Sequence, residues 1–332
     1  MALAPAGALP LNRVSPLGVE DIAPALGPEL EVRGDPTGKM FTHVAPIGDA
    51  APDSLVWINP TRNDKQELLE ATRAQLVVCD PSVRLTAGVR DKCLLAVPKP
   101  KLAFSAILRR FFAAPRPEGI HATAVVAPSA VLEEGVSIGA YSVVGAATIR
   151  AGTYVDAHVT IYDGVTIGRR CVIHTGCILG SFGFSFDRDD DGTLHYFPHL
   201  GGVEIGDDVE IQTMTNVDRG TLGDTVIGGG TKIDTGCHIG HNSVIGENTM
   251  IAARAMLGGS LKVGERCWLG PVTTYRDWLE IGDDAYIGLG SLVVKDVPAG
   301  GRYMGSPARP MDEYKELLAA MRALRAPPGR PS

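Results

Sequence analysis

From residue 120 an aliphatic side chain returns at every sixth position, and this spacing constrains the fold more than any other feature of the chain. The series runs Ile120, Val126, Leu132, Ile138, Val144, then Ile149, Val155, Ile161, Ile167, Ile173, Leu179, with one step a residue short. It resumes at Ile205, Ile211 and Val217, again from Ile227 through Ile233, Ile239, Ile245, Ile251, Leu257 and Val263 to Leu269, and closes at Ile281, Ile287 and Val293. A period of six fits neither the 3.6 of a helix nor the alternation of a simple strand, but it is the repeat of a parallel β-helix. Each hexad supplies a short strand and a turn, and three hexads close one triangular coil of about 18 residues. An ordinary β-sandwich has no reason to hold that register over so many repeats. Stacking of coils, each covering the apolar face of the next, then supplies the stability. Glycine contributes 40 residues and aromatic residues only 6% of the chain, a balance that favours tight turns over bulky packing. Gly139, Gly168, Gly206, Gly228, Gly246, Gly264 and Gly282 each follow an inward aliphatic residue, where a small residue is expected to let the chain bend.

The remainder of the chain has a different texture. Residues 1–15 read as a disordered leader, and residues 16–112 as a small α/β domain with strand-like runs at Leu55–Ile58 and Leu76–Val78 and helix-like stretches at 65–75 and 104–112. Residues 113–119 read as a linker. The β-helix is expected over 120–304, with a loop insertion at 181–202 that holds much of the aromatic density of the repeat region and is a candidate wall of a binding site. A C-terminal helix is expected over 305–326, capped by Asp312, with Pro327 and Pro328 ending it and 327–332 as a tail.

A net charge of -7 gives no general attraction for nucleic acid or an anionic membrane, and no apolar run approaches the roughly 20 residues of a membrane span. Six cysteines without a CxxC pair suggest neither a disulfide framework nor a zinc ribbon, and a reducing cytoplasm suits them best. His158, His174, His195 and His199 occupy inconsistent places relative to the hexads, so no metal site is expected.

The segment 236–264 carries the candidate chemistry. His241 lies two places after inward Ile239 and should project outward, where an imidazole can accept a proton from an attacking amine or hydroxyl near neutral pH. Asp234 is a possible orienting carboxylate. Gly259, 18 residues after His241, should stack almost over it and offer an unshielded N–H to a developing oxyanion.

The motifs VWINP (56–60), PKLAFSAILRRFF (100–112), GFSFDRDDDG (183–192), NVDRGTLGDTVIG (216–228), IDTGCHIGHNSVIGENT (233–249) and GGSLKVG (258–264) together resemble the UDP-3-O-(3-hydroxyacyl)glucosamine N-acyltransferase family of lipid A biosynthesis, over nearly the whole chain. The resemblance implies a left-handed coil and a homotrimer with sites in the grooves between subunits. It implies transfer of a 3-hydroxyacyl group from the phosphopantetheine of acyl carrier protein to the 2-amino group of a UDP-linked 3-O-acylglucosamine, with no bound cofactor. His241 then matches the family's general base, Asp234 its carboxylate partner and Gly259 its oxyanion donor. Asn242, Asp218 and Trp278 become candidate substrate contacts. The chain departs from the pattern in two places. Trp278 stands where a second histidine is expected, and Val56 and Arg62 stand where aromatic residues contact uracil, while Asn59 is retained. Trp57 is a candidate for the missing stacking and Arg62 for a phosphate contact. Two other readings follow from these departures: acetyl transfer from coenzyme A to another nucleotide-linked amino sugar, and a non-catalytic solenoid that binds sugar nucleotides. The sequence GSPARP (305–310) is explained as a turn into the last helix, whose basic Arg309, Lys315, Arg322 and Arg325 could steer an acidic carrier protein or be merely solvated.

Overall fold

The computed structural model describes residues 13–325 and divides into two compact units between Arg116 and Pro117, inside the expected linker. In the first unit six strands form one sheet in the order Arg13–Leu17, Phe41–Val44, Ser54–Trp57, Leu76–Cys79, Cys93–Ala96, Glu31–Arg33. The four central strands run parallel and both edge strands antiparallel. Leu76–Cys79 and Cys93–Ala96 are buried throughout and read as continuous apolar runs, as strands covered on both faces must. One face packs Leu55, Leu76 and Val78 against Ile22 and Phe104 of the helices Val19–Leu26 and Pro100–Ile107. The other packs Val56, Val77 and Leu94 against Leu69 of the helix Lys65–Ala71. The unit begins earlier than expected: Arg13–Leu17 is an edge strand paired with Phe41–Val44, so residues 13–15 are not leader, and residues 1–12 lie outside those described.

The second unit is the expected parallel β-helix. Its strands stack into faces of nine, eight and ten strands, each pairing in parallel with the strand a full coil away except Arg309–Pro310, which closes the ten-stranded face antiparallel to Arg302–Met304. Thus His238–Ile239 lies between Asn216–Val217 and Met256–Leu257 on the nine-stranded face. The inward aliphatic residues form one continuous core from Val136 to Val297. The position two residues before each of them is also buried, and this was not read from the period. Val159, Leu261 and Leu279 fill it, as do Cys171, Cys177, Cys237 and Cys267. Burial pushes the thiols of Cys177 and Cys237 up to about 11, so they behave as small apolar residues. Tyr275 fills the gap in the aliphatic series between Leu269 and Ile281, with its ring buried and its ionisation pushed up by desolvation.

The glycines after the aliphatic positions do not serve to bend the chain. A Cβ at Gly139 would stand 2.5 Å from the backbone of Asp156 and Ala157 on the next coil, so glycine permits close stacking there. The bend comes two residues later, at left-handed residues such as Tyr141, Arg170, Asn242 and Trp278. The insertion leaves the solenoid as a two-stranded hairpin, Phe186–Arg188 paired with Leu194–Tyr196. A second, shorter excursion at 219–224 fills the gap between Val217 and Ile227 and bonds to it through Leu200 N–H to Thr221 O (2.6 Å). The last helix spans Met311–Arg325, entered through the short strands Arg302–Met304 and Arg309–Pro310. Asp312 therefore sits within its first turn rather than capping it, where its charge favours the positive end of the helix. Pro327 and Pro328 lie outside the described residues. Among the described residues no helix is long and apolar enough to cross a membrane.

Candidate active site

The corner between His238–Ile239 on the nine-stranded face and Val244–Ile245 on the eight-stranded face carries His241 and Asn242. A rigid coil fixes this corner: Gly240 N–H bonds Leu257 O (3.0 Å), and Ser260 N–H of the next coil bonds His241 O (2.8 Å). The His241 ring opens into a cleft of about 490 Å³. Phe182, Phe184 and Met256 are its apolar lining, and Ser181, Asn216, Asp218, His238 and Asp277 its polar lining, with Asn216, His238 and Met256 stacked in one column of the nine-stranded face.

Gly259 stacks over His241 as the repeat predicted, so closely that a Cβ there would lie 2.8 Å from both Cε1 and Nε2 of the ring. Its N–H is not free, however. It donates to Asp277 Oδ1 (2.9 Å), just as Ala146 N–H donates to Asp163 and Glu265 N–H to Asp283. The arrangement is a general cap of the coil, which the sequence reading missed although an aspartate about 18 residues downstream announces it each time.

Asp234 does not meet His241 within the chain. It lies one corner earlier, between the ten- and nine-stranded faces, where its Oδ1 accepts from Thr235 N–H and it borders a different cavity with Glu210, Lys232 and Trp268. Seven residues of separation is one side of the triangle, and so the two side chains leave from different corners. Asn242 takes the place next to the imidazole. Its Oδ1 accepts from Thr221 N–H (2.7 Å) and Thr221 Oγ1–H (3.1 Å), which fixes the amide and leaves Nδ2 to donate to His241 Nδ1 (3.0 Å). With Nδ1 an acceptor, the neutral ring of the isolated chain carries its hydrogen on Nε2.

Asp218 is nearly buried on the cleft wall. It accepts from Ser181 Oγ–H (2.9 Å) and Asn216 Nδ2–H (2.7 Å) and lies 3.5 Å from His238 Nε2. Trp278 is 77% exposed and stands outside the cleft, beside Asn242, Ser260 and Lys262 on the eight-stranded side. In the first unit Asn59 Oδ1 accepts from Thr61 N–H and Oγ1–H, Arg62 is paired with Asp64, and Trp57 stacks on Phe104 at 6.2 Å. All three lie at or just beyond the carboxyl end of a parallel strand, where open α/β sheets bind ligands.

Of the histidines once weighed as metal ligands, His174 pairs with Glu210 and His195 with Asp189, while His199 enters the His241 site. No group of three or more His, Cys, Asp or Glu among the described residues is placed to hold a metal ion.

A profile for the bacterial transferase hexapeptide (six repeats) matches residues 146–181 and 224–259. The UDP-3-O-acylglucosamine N-acyltransferase of Bordetella pertussis is 33% identical over 301 residues, covering 82% of each chain. The enzyme of the same name from Pseudomonas syringae pv. tomato is 34% identical over 314 residues, covering 88% of each. Among solved structures, LpxA from Acinetobacter baumannii aligns with a TM-score of 0.53 and 26% identity, covering 63% of this chain and 78% of that one.

Proposed function

Because the chain belongs to the UDP-3-O-acylglucosamine N-acyltransferase family, we infer that it transfers an acyl group from a thioester to the amine of a UDP-linked sugar at the His241 cleft. The observation that carries this reading is an imidazole held on a rigid corner and lining a cleft of mixed apolar and polar side chains. Phe182, Phe184 and Met256 suit an acyl chain, and Asp218 offers a carboxylate to a sugar amine or hydroxyl.

The amine nitrogen attacks the thioester carbon and loses a proton to His241. Collapse of the tetrahedral intermediate breaks the carbon–sulfur bond, and the imidazolium returns the proton to the departing thiolate. The lone pair of the neutral ring is at Nδ1, shared with the Asn242 amide, so the amine must compete with that amide or the ring must exchange tautomers. Asp234 can orient the ring only from another copy of the chain. The assignment of a partner at Nδ1 therefore rests on Asn242 in this chain. An oxyanion at Gly259 N–H must displace the Asp277 carboxylate, and the firmer role of Gly259 is the space it leaves for the ring.

The donor in this reading is a 3-hydroxyacyl group on the phosphopantetheine of acyl carrier protein, the acceptor a UDP-linked 3-O-acylglucosamine, and the assembly a cytoplasmic homotrimer. Asn59 keeps its place as a nucleotide contact by exchanging its turn bonds, and Arg62 must leave Asp64 to reach phosphate. Mass spectrometry of products formed with 3-hydroxyacyl carrier protein and with acetyl coenzyme A tests the assignment. The expected result is a 3-hydroxyacyl amide with the carrier and no product with acetyl coenzyme A; the reverse pattern rejects the carrier-dependent assignment.

A further inference from the structure

We propose that His199, brought in by the inserted hairpin, is a positioning residue for His241; the inference rests on the acyl-transfer reading above. His199 belongs to no hexad, yet it is only 2% exposed. Its ring meets that of His241 edge to face, with centroids 5.0 Å apart and planes at 78°. Tyr196 braces it from behind, its hydroxyl 2.9 Å from Nδ1 and its ring stacked at 5.8 Å, and Phe186 packs on Tyr196 from the other hairpin strand.

Two further features tie this arrangement to function. His199 Nε2 is buried with no hydrogen-bond partner, a costly state for a group that only fills space. At Gly183 a Cβ would stand 2.8 Å from both His199 Nε2 and His241 Cδ2, so the two rings share a socket that closes tightly around them. The hairpin exit also bonds to the short excursion that fixes Asn242: Leu200 N–H donates to Thr221 O, and Thr221 donates to the Asn242 amide oxygen. The insertion thus reaches His241 twice, through the ring of His199 and through the amide at Nδ1.

The charged and titratable groups around the pair are Tyr196 from the hairpin, Asp218 and Arg219 from the strand end and excursion, His238 from the preceding strand and Asp277 from the coil above. Burial first, and the neighbouring His241 second, hold His199 below the ordinary imidazole range. It therefore stays neutral and presents an uncharged ring to the base.

The test compares His199→Ala and His199→Gln with the parent and with His241→Ala, measuring kcat and KM separately. Loss of the clamp lets the base wander, for which a drop in kcat of about 10- to 100-fold with KM nearly unchanged is expected for His199→Ala. His199→Gln, which fills part of the space and can still bond Tyr196, recovers part of kcat and serves if the alanine variant fails to fold. Near-parental kcat in a folded His199 variant, with His241→Ala inactive, or a loss carried by KM with kcat retained, overturns the positioning role. Full activity of His241→Ala overturns instead the reading on which it rests.

Discussion

Replacing Gly259 with alanine puts a methyl carbon 2.8 Å from Cε1 and Nε2 of His241 and 3.3 Å from Cδ2. Carbon atoms rest at about 3.5–4.0 Å, so ring and methyl must separate by roughly 0.7–1.2 Å. The methyl is fixed to a coil held by Ser260 N–H to His241 O and by Gly259 N–H to Asp277, and therefore the ring must give. On its other sides it meets Gly183 and His199, and any retreat strains the 3.0 Å bond from Asn242. A misplacement near 1 Å costs about 10²-fold in turnover, while overpacking of this kind costs about 1–3 kcal/mol of stability. The assay is steady-state acyl transfer with UDP-3-O-acylglucosamine and 3-hydroxyacyl carrier protein, paired with chemical denaturation. A Gly259→Ala enzyme with kcat within about threefold of the parent would refute the claim that glycine is needed there to seat the imidazole.

Asn242→Ala removes the donor to His241 Nδ1 and leaves the ring free to turn on its corner. With that anchor lost, kcat should fall about 10-fold or more, and an unchanged kcat argues against the Asn242 contact. Leu257→Ala opens a cavity one coil from Ile239, where the side chain is fully buried, and should cost about 2–5 kcal/mol in denaturant unfolding; a loss below about 1 kcal/mol contradicts the assigned register. His199 is harder to protonate in the folded chain than when unfolded, so the unfolded chain binds more protons as pH falls. Stability should decline below the ordinary imidazole range near pH 6.5, and His199→Gln should flatten that slope in melts from pH 7 to 5.

The period of six was enough to read the solenoid, because inward Ile, Leu and Val must recur once per side of a triangular coil. It also placed Gly259 over His241, since 18 residues return the chain to the same corner. The second buried column escaped notice because cysteine, threonine and serine share it with aliphatic residues, and no single residue type marks it. Asp234 is a possible partner of His241 in the sequence, and the resemblance alone makes it the carboxylate of the pair; within one chain the hexad register carries it to the preceding corner. His199 was weighed only as a metal ligand. Its meeting with His241 depends on a hairpin that folds back over the coil, and the hexad pattern stops where that hairpin begins. The contact of Asn242 with His241 is not legible in the sequence, because Thr221, which fixes the amide, comes from the second excursion, and that excursion shows only as a missing step between Val217 and Ile227.

Single-turnover acyl transfer by His241→Ala, with saturating acyl carrier protein and UDP-3-O-acylglucosamine, tests the account most directly. Loss of a positioned general base lowers the rate by about 10²–10⁴-fold, and the fall should persist across the pH range with substrate binding retained. A variant transferring the acyl group at a rate within tenfold of the parent would place the chemistry elsewhere than at this corner.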